Sequence, residues 1–155
     1  MKLVDMVLIS VDDHITDPGN LFDRQLTGEA LATAPKLRTS AAGKTYWEYQ
    51  GIKMHSVALN AVTGRPREEY GMEPTAFDQL REGCYDVHAR IGDMNANGIA
   101  ASMNFSSLAG VDGMLFCVAP DKKYALKHVQ AYNDWHIEEW CGAYPGRFIP
   151  CGILP

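Results

Sequence analysis

Residues 6–14 read MVLISVDDH. The run Met6 to Val11 is short, almost continuously apolar and rich in β-branched residues. That pattern suits a parallel strand covered on both faces. It ends at Asp12, Asp13 and His14, and the turn-rich run Asp17-Pro18-Gly19-Asn20 follows. Side chains two apart in an extended strand point to the same side, about 6–7 Å apart by rise. The carboxylate of Asp12 and the imidazole of His14 can therefore converge on one divalent ion, and this donor pair suits zinc and other borderline metals. In parallel α/β folds the active site lies at the carboxyl ends of the strands, which is where this pair falls. The competing reading is that Asp12 and Asp13 cap the following turn, with His14 packed nearby. A D-x-H triplet is common, and a metal site needs more ligands than two.

Downstream of this strand, 21–31 is compatible with a short helix, stopped soon after by Pro35. The stretch KTYWEYQGIKMHSV, residues 44–57, predicts a β-hairpin with Gln50-Gly51 at its turn. Residues 64–83 are charged and irregular, so about 21–85 reads as an insertion over one end of the main fold. Regular alternation begins at Tyr85. Asp86 is a suitable N-cap for a helix over 87–96, with Val87, Ile91 and Met94 on one face and Asn97-Gly98 as its stop. Residues 99–105 read as a second buried strand, and 106–120 as a loop. Asp121 can cap a helix to about Cys141 whose apolar face includes Leu126, Val129, Tyr132 and Trp140. GAYPGR, residues 142–147, breaks it, and 148–154 reads as a third strand. Strands alternating with helices imply parallel βαβ units. Three strands and two helices alone would leave an open edge and bare apolar faces. A complete barrel takes roughly 250 residues, so the organisation predicts a truncated one within a single domain spanning 1–155.

The chain has 155 residues, 46% hydrophobic and 21% charged, with a formal net charge of −5. This is ordinary for a globular protein and gives no electrostatic reason to expect nucleic acid or an anionic membrane as partner. No stretch approaches the ~20 apolar residues of a membrane helix, and the N-terminus does not read as a signal peptide. The cysteines at 84, 117, 141 and 151 form no CxxC pair. A cytoplasmic setting with free thiols is the expectation, with Cys117 and Cys151 read as buried small apolar residues.

Four stretches carry a family resemblance. They are ISVDDHITDPGNLF (9–22), LNAVTGRPREEYGMEPTAFDQLREGCYD (59–86), ARIGDMNANGIAASMNF (89–105) and AYNDWHIEEWCGAYPGRFIPCGILP (131–155). In this order they resemble the amidohydrolase-related (amidohydrolase 2) family of metal-dependent hydrolases and decarboxylases. The resemblance implies a (β/α)8 barrel, here the first three strands and two helices with a hairpin-bearing insertion after the first strand. It implies one divalent metal, zinc or alternatively manganese, and carries Asp12 and His14 over as ligands. The other ligands, normally two histidines and an aspartate on later strands, and the acid–base aspartate of the last strand, would then lie beyond Pro155. The implied activity is metal-dependent hydrolysis of a small carboxylate or aromatic substrate, or non-oxidative decarboxylation by the same fold. The relatives' habit of pairing makes a homodimer the assembly to look for.

Asn104, Ser106 and Ser107 follow the second strand at the functional rim, where they can hydrogen-bond a substrate or order the loop; Asn104 and Ser106 are the candidate substrate contacts. His128 and His136 lie mid-helix and read as packing or surface histidines, His88 as solvated, and His55 as a strand-surface residue. Phe22, Trp47 and Tyr49 are expected at the pocket entrance. Two alternatives remain from the organisation alone: a non-catalytic α/β binding or assembly module, and a flavodoxin-like open sheet. The second fits less well, because a long insertion stands where a tight phosphate loop would follow the first strand.

Overall fold

A computed structural model describes residues 2, 5–55, 57, 62, 65–70, 74, 76–110 and 113–154. Strand β1 (Leu8–Ile15) opens the chain. Helices α1 (Leu21–Gln25) and α2 (Gly28–Ala32) follow, then strands β2 (Lys36–Thr39), β3 (Thr45–Tyr49) and β4 (Ile52–Met54). Helix α3 (Val87–Ala96), strand β5 (Ile99–Ser106), helix α4 (Met114–Cys117), helix α5 (Lys122–Asp134) and strand β6 (Phe148–Ile149) complete the order. One sheet has the order β1-β5-β6 and is parallel throughout. A second, antiparallel sheet has the order β2-β3-β4. The fold is mixed α/β, as the alternation of strands and helices predicts.

The helix signals act as read. Asp86 accepts a hydrogen bond from the Ala89 amide at 2.8 Å, and Asp121 accepts one from the Tyr124 amide at 3.1 Å. Each satisfies an amide that has no carbonyl partner in the first helical turn. Ile91 and Met94 bury the inner face of α3, and Gly98 closes it in the left-handed region at φ 68°. Helix α5 runs on without interruption into a π-helix over Trp135–Cys141, ended by Gly142. A Cβ on Gly142 would meet the Glu138 carbonyl oxygen at 2.1 Å, so no larger residue fits there. The hairpin turns at Gln50 and Gly51, whose φ values of 45° and 86° supply the two left-handed positions of a tight two-residue turn.

Several expectations need correction. Strand β1 continues to Ile15, so Asp12 and His14 lie within it rather than after it. It is not covered on both faces: Leu8, Ile9 and Val11 are 54%, 47% and 60% exposed, and β1 is also an edge strand. The helix read over 21–31 is two short helices, broken at Leu26 and Thr27. Strand β2 was not foreseen; it pairs with β3 and depends on that partner, not on its own short sequence. The third parallel strand shrinks to Phe148–Ile149. Leu126 is exposed on α5, and Cys117 is exposed at the end of α4, whereas Val129, Tyr132 and Trp140 are buried. Of 64–83, the described residues form short 3-10 turns at Arg67–Glu69 and Phe77–Gln79, followed by Glu82–Cys84; residues 64, 71–73 and 75 lie outside the described set.

Phe22, Trp47 and Tyr49 are core residues, not the rim of a pocket. They pack where the antiparallel sheet meets α5, with Tyr49 edge-on to both Phe116 and His128. The insertion is thus fastened into the main hydrophobic cluster. Replacing either cap, Asp86→Ala or Asp121→Ala, is expected to lower stability by about 1 kcal/mol. Urea denaturation measures this, and an unchanged midpoint would show that the cap does not support its helix.

Candidate functional site

Asp12 and His14 stand near the carboxyl end of β1, on the sheet face turned away from the helices. The His14 Nε2 lies 3.9 Å from the Asp12 Oδ1, with the two side chains 45% and 87% exposed. His14 is level with Phe105 of the neighbouring strand, and their ring centroids are 6.1 Å apart. One side of the pair is therefore walled by an aromatic ring, and the rest is open. Among the described residues no group of three or more His, Cys, Asp or Glu gathers as a metal centre would require. The donor chemistry of the pair itself fits a divalent ion, since a carboxylate oxygen and an imidazole nitrogen 3.9 Å apart can both reach one ion at bonds of about 2.1 Å.

Asn104 and Ser106 face the other way. On β5 the even positions Ser102, Asn104 and Ser106 are buried against the helices, while Met103 and Phe105 are half-buried on the open face. Asn104 accepts a hydrogen bond from the Trp140 indole N–H at 2.9 Å and donates through Nδ2 to Ser102 Oγ at 2.8 Å. Ser102 in turn donates to Asp13, which also accepts from Ser10 at 2.7 Å and lies 3.2 Å from Nη2 of Arg90. The hydroxyl of Ser106 donates to Asp17 at 2.8 Å and accepts from the amides of Leu108 and Ala109 at 3.0 and 2.7 Å. Ser107 donates to the Val57 carbonyl at 2.9 Å. These groups order the loop after β5.

Asp17 is a residue that the sequence reading treats only as part of a turn. The structure sinks its carboxylate completely. Oδ2 accepts from Ser106 and from the Leu108 amide, both at 2.8 Å, and Oδ1 has no partner among the described residues. Burial raises its pKa from 3.8 to about 6, against the lowering effect of those hydrogen bonds. The one signal in the sequence is its place three residues beyond His14, just past the end of a strand.

The mid-helix histidines are packing residues. His128 Nε2 lies 2.8 Å from the Ala30 carbonyl, which can only accept, so Nε2 carries the proton and Nδ1 accepts from the Tyr49 hydroxyl at 2.9 Å. Burial lowers its pKa, and burial pushes the Tyr49 hydroxyl up to about 12. His136 stacks on Tyr132 with ring centroids 5.7 Å apart and has Nε2 3.7 Å from Cys141 Sγ; its Nδ1 has no partner among the described residues. Burial lowers its pKa from 6.5 to about 4. His88 is exposed, with Nδ1 2.8 Å from the Tyr144 hydroxyl, and His55 lies on the hairpin surface against Tyr46.

Asp17 and His136 pull stability in opposite directions over nearly the same pH range. Asp17 holds its proton more tightly folded than unfolded, so its contribution falls as pH rises from 3.8 to about 6. His136 holds its proton less tightly folded, so its contribution rises from about pH 4 to 6.5. The cost of ionised Asp17 above that window is on the order of 3 kcal/mol. Asp17→Asn is expected to remove that cost and leave stability rising with pH between 4 and 6.5. Urea unfolding at half-unit pH steps reads the slope; a profile identical to that of the unaltered protein would mean Asp17 is not held in this state.

No family model and no curated protein sequence matches this chain. Among solved structures it is similar to an amidohydrolase from Mycobacterium avium subsp. paratuberculosis K-10, with a TM-score of 0.64 and 19% sequence identity. The match covers 97% of this chain and 43% of that protein, so the chain spans less than half the length of its structural relative. At that identity the likeness is one of fold: nearly the whole chain adopts the α/β arrangement found in a part of an amidohydrolase.

Proposed function

We propose that this chain is the first part of a metal-dependent hydrolase barrel of the amidohydrolase-related type, acting on a small organic carboxylate or aromatic compound. The observation that carries this reading is the placement of Asp12 and His14 side by side on the open face of the parallel sheet, near the carboxyl end of β1. In a (β/α)8 barrel that end of the strands is where active sites are built.

The distribution of side chains over the sheet supports the same reading. A sheet with one solvated face should bury its apolar residues and expose its polar ones. Here β5 does the reverse, with Ser102, Asn104 and Ser106 inside and Met103 and Phe105 on the open face. Ile9 and Val11 are exposed along β1 as well. Further strands closing a barrel would cover these groups and surround His14. On this reading residues 1–155 belong to a single domain, and about 21–85 is an insertion packed over the barrel.

Asp12 and His14 would hold the divalent ion, zinc or alternatively manganese, and further strands would supply the remaining ligands. The ion, when bound, supplies a Lewis acid that activates water or polarises a substrate oxygen. The chain's own contribution is to orient the two ligands from one strand and to place Phe105 as an apolar wall beside them. Asn104 and Ser106 support the rim from beneath through the Trp140 and Asp17 contacts. The expected partner is a small molecule in a cytoplasmic setting.

The test uses a polypeptide extended through the remaining strands, supplied with Zn²⁺ or Mn²⁺ and assayed on carboxylate esters, amides and lactones. His14→Ala and Asp12→Ala are each expected to lower kcat/KM by more than about 100-fold, since even outer-shell changes cost 10–100-fold. A chelator is expected to abolish the activity and added metal to restore it. Undiminished turnover in His14→Ala would remove the pair from the mechanism. Release of carbon dioxide in place of hydrolysis would select the carboxy-lyase form of the reading.

A further inference from the structure

The register of β1 against β5 is irregular at the point where the candidate pair sits. Ser10 is level with Ser102, and Asp13 is level with Asn104. Val11 and Asp12 together therefore stand opposite the single residue Met103, which is a one-residue bulge. Side chains alternate along a strand with a period of two, so one extra residue exchanges the faces of everything after it. In an unbulged strand Ser10, Asp12 and His14 would share a face, and Ser10 faces the helices. As built, Ser10, Asp13 and Ile15 take the helix side, and Asp12 and His14 take the open side.

The hydrogen bonds agree with this exchange. Asp13 reaches Ser10, Ser102 and Arg90, all beneath the sheet, while His14 lies against Phe105 on the other face. Asp13 Oδ1 accepts from Ser10 at 2.7 Å, tying one flank of the bulge to the other. Its Oδ2 accepts from Ser102 of the facing strand and lies 3.2 Å from Nη2 of Arg90 on α3. A charged group bound to three elements fixes where the extra residue can sit, because moving the bulge would strand a partly buried carboxylate without partners. A second irregularity, between Leu8 and Ile9, precedes Ser10 and has its extra residue, Ala100, in β5 rather than β1.

We infer that Asp13 is a positioning residue, whose clamp on Ser10, Ser102 and Arg90 holds the bulge that turns Asp12 and His14 together onto the open face of the sheet. The functional weight of this inference rests on the reading of Asp12 and His14 as the working pair, but the geometry can be tested without it.

The experiment follows the nuclear Overhauser contacts between the His14 and Phe105 rings in the isotopically labelled chain. The indole N–H resonance of Trp140 reports that the fold is intact. Asp13→Ala is expected to weaken the His14–Phe105 contacts at least tenfold while the Trp140 signal persists. Asp13→Asn, which keeps an acceptor for Ser10 and loses the ion pair with Arg90, is expected to fall between. Deleting Val11 in the Asp13→Ala background removes the extra residue, so that Asp12 and His14 regain the open face by simple alternation and the contacts return. A merely stabilising role for Asp13 predicts no such rescue. A folded Asp13→Ala protein with undiminished contacts overturns the inference, and so does failure of the Val11 deletion to restore them. Should Asp13→Ala not fold, Asp13→Asn and Ser102→Ala carry the same comparison, again with Val11 deleted in each. Titration with Zn²⁺ on the same resonances separates the two ideas. A His14 that moves with Asp13 yet ignores Zn²⁺ sustains the positioning role and removes the metal reading.

Discussion

A half-buried carboxylate needs partners, and beneath the parallel sheet that need is met by a continuous polar seam. Arg90 and Ser10 meet Asp13, Ser102 joins Asp13 to Asn104, and Asn104 receives the indole N–H of Trp140. The seam links β1, β5, α3 and the π-helical end of α5. Each group in it would cost far more unpaired in a low-dielectric interior than it gains when paired, so the four elements are held in one relative placement. Apolar packing alone is tolerant of small slips; this set of bonds is not.

A fully buried carboxylate repeats the arrangement at the end of the same strands. Asp17 gathers Ser106 and the Leu108 amide and so ties the segment after β1 to the loop after β5. It differs from Asp13 in having no cation beside it among the described residues, and burial raises its pKa to about 6. The imidazoles of His128 and His136 are buried along α5 and its π-helical continuation, where the same desolvation lowers theirs. The interior thus holds a carboxyl group and histidines that resist charge, because burial strips water from the charged form.

On β5, polar residues under the sheet and apolar ones on its open face make the two sides unequal in a way that favours further covering of the open side. On the proposed reading, the open face is the inner wall of a barrel. The antiparallel sheet plays a different part. Its aromatic residues Trp47 and Tyr49 are spent on the core with Phe116 and His128, which makes the insertion a structural part of the domain.

The sequence by itself determined the elements whose cause is local. Asp86 and Asp121 start their helices because a side-chain oxygen two or three residues from an unpaired amide needs nothing distant to act. Gln50-Gly51 turns the hairpin for a similarly local reason. It also placed Asp12 and His14 in the first strand region, near its carboxyl end. Only the tertiary structure decided which way those side chains face. Local alternation would set Ser10, Asp12 and His14 on one side; the bulge against β5, held by residues 10, 13, 90 and 102, divides them. Likewise the burial of Asp17, the orientation of Asn104 and Ser106, and the pairing of β2 all depend on partners remote in the chain. Face, burial and charge state are properties of contacts between distant segments, and a pattern of neighbouring residues does not contain them.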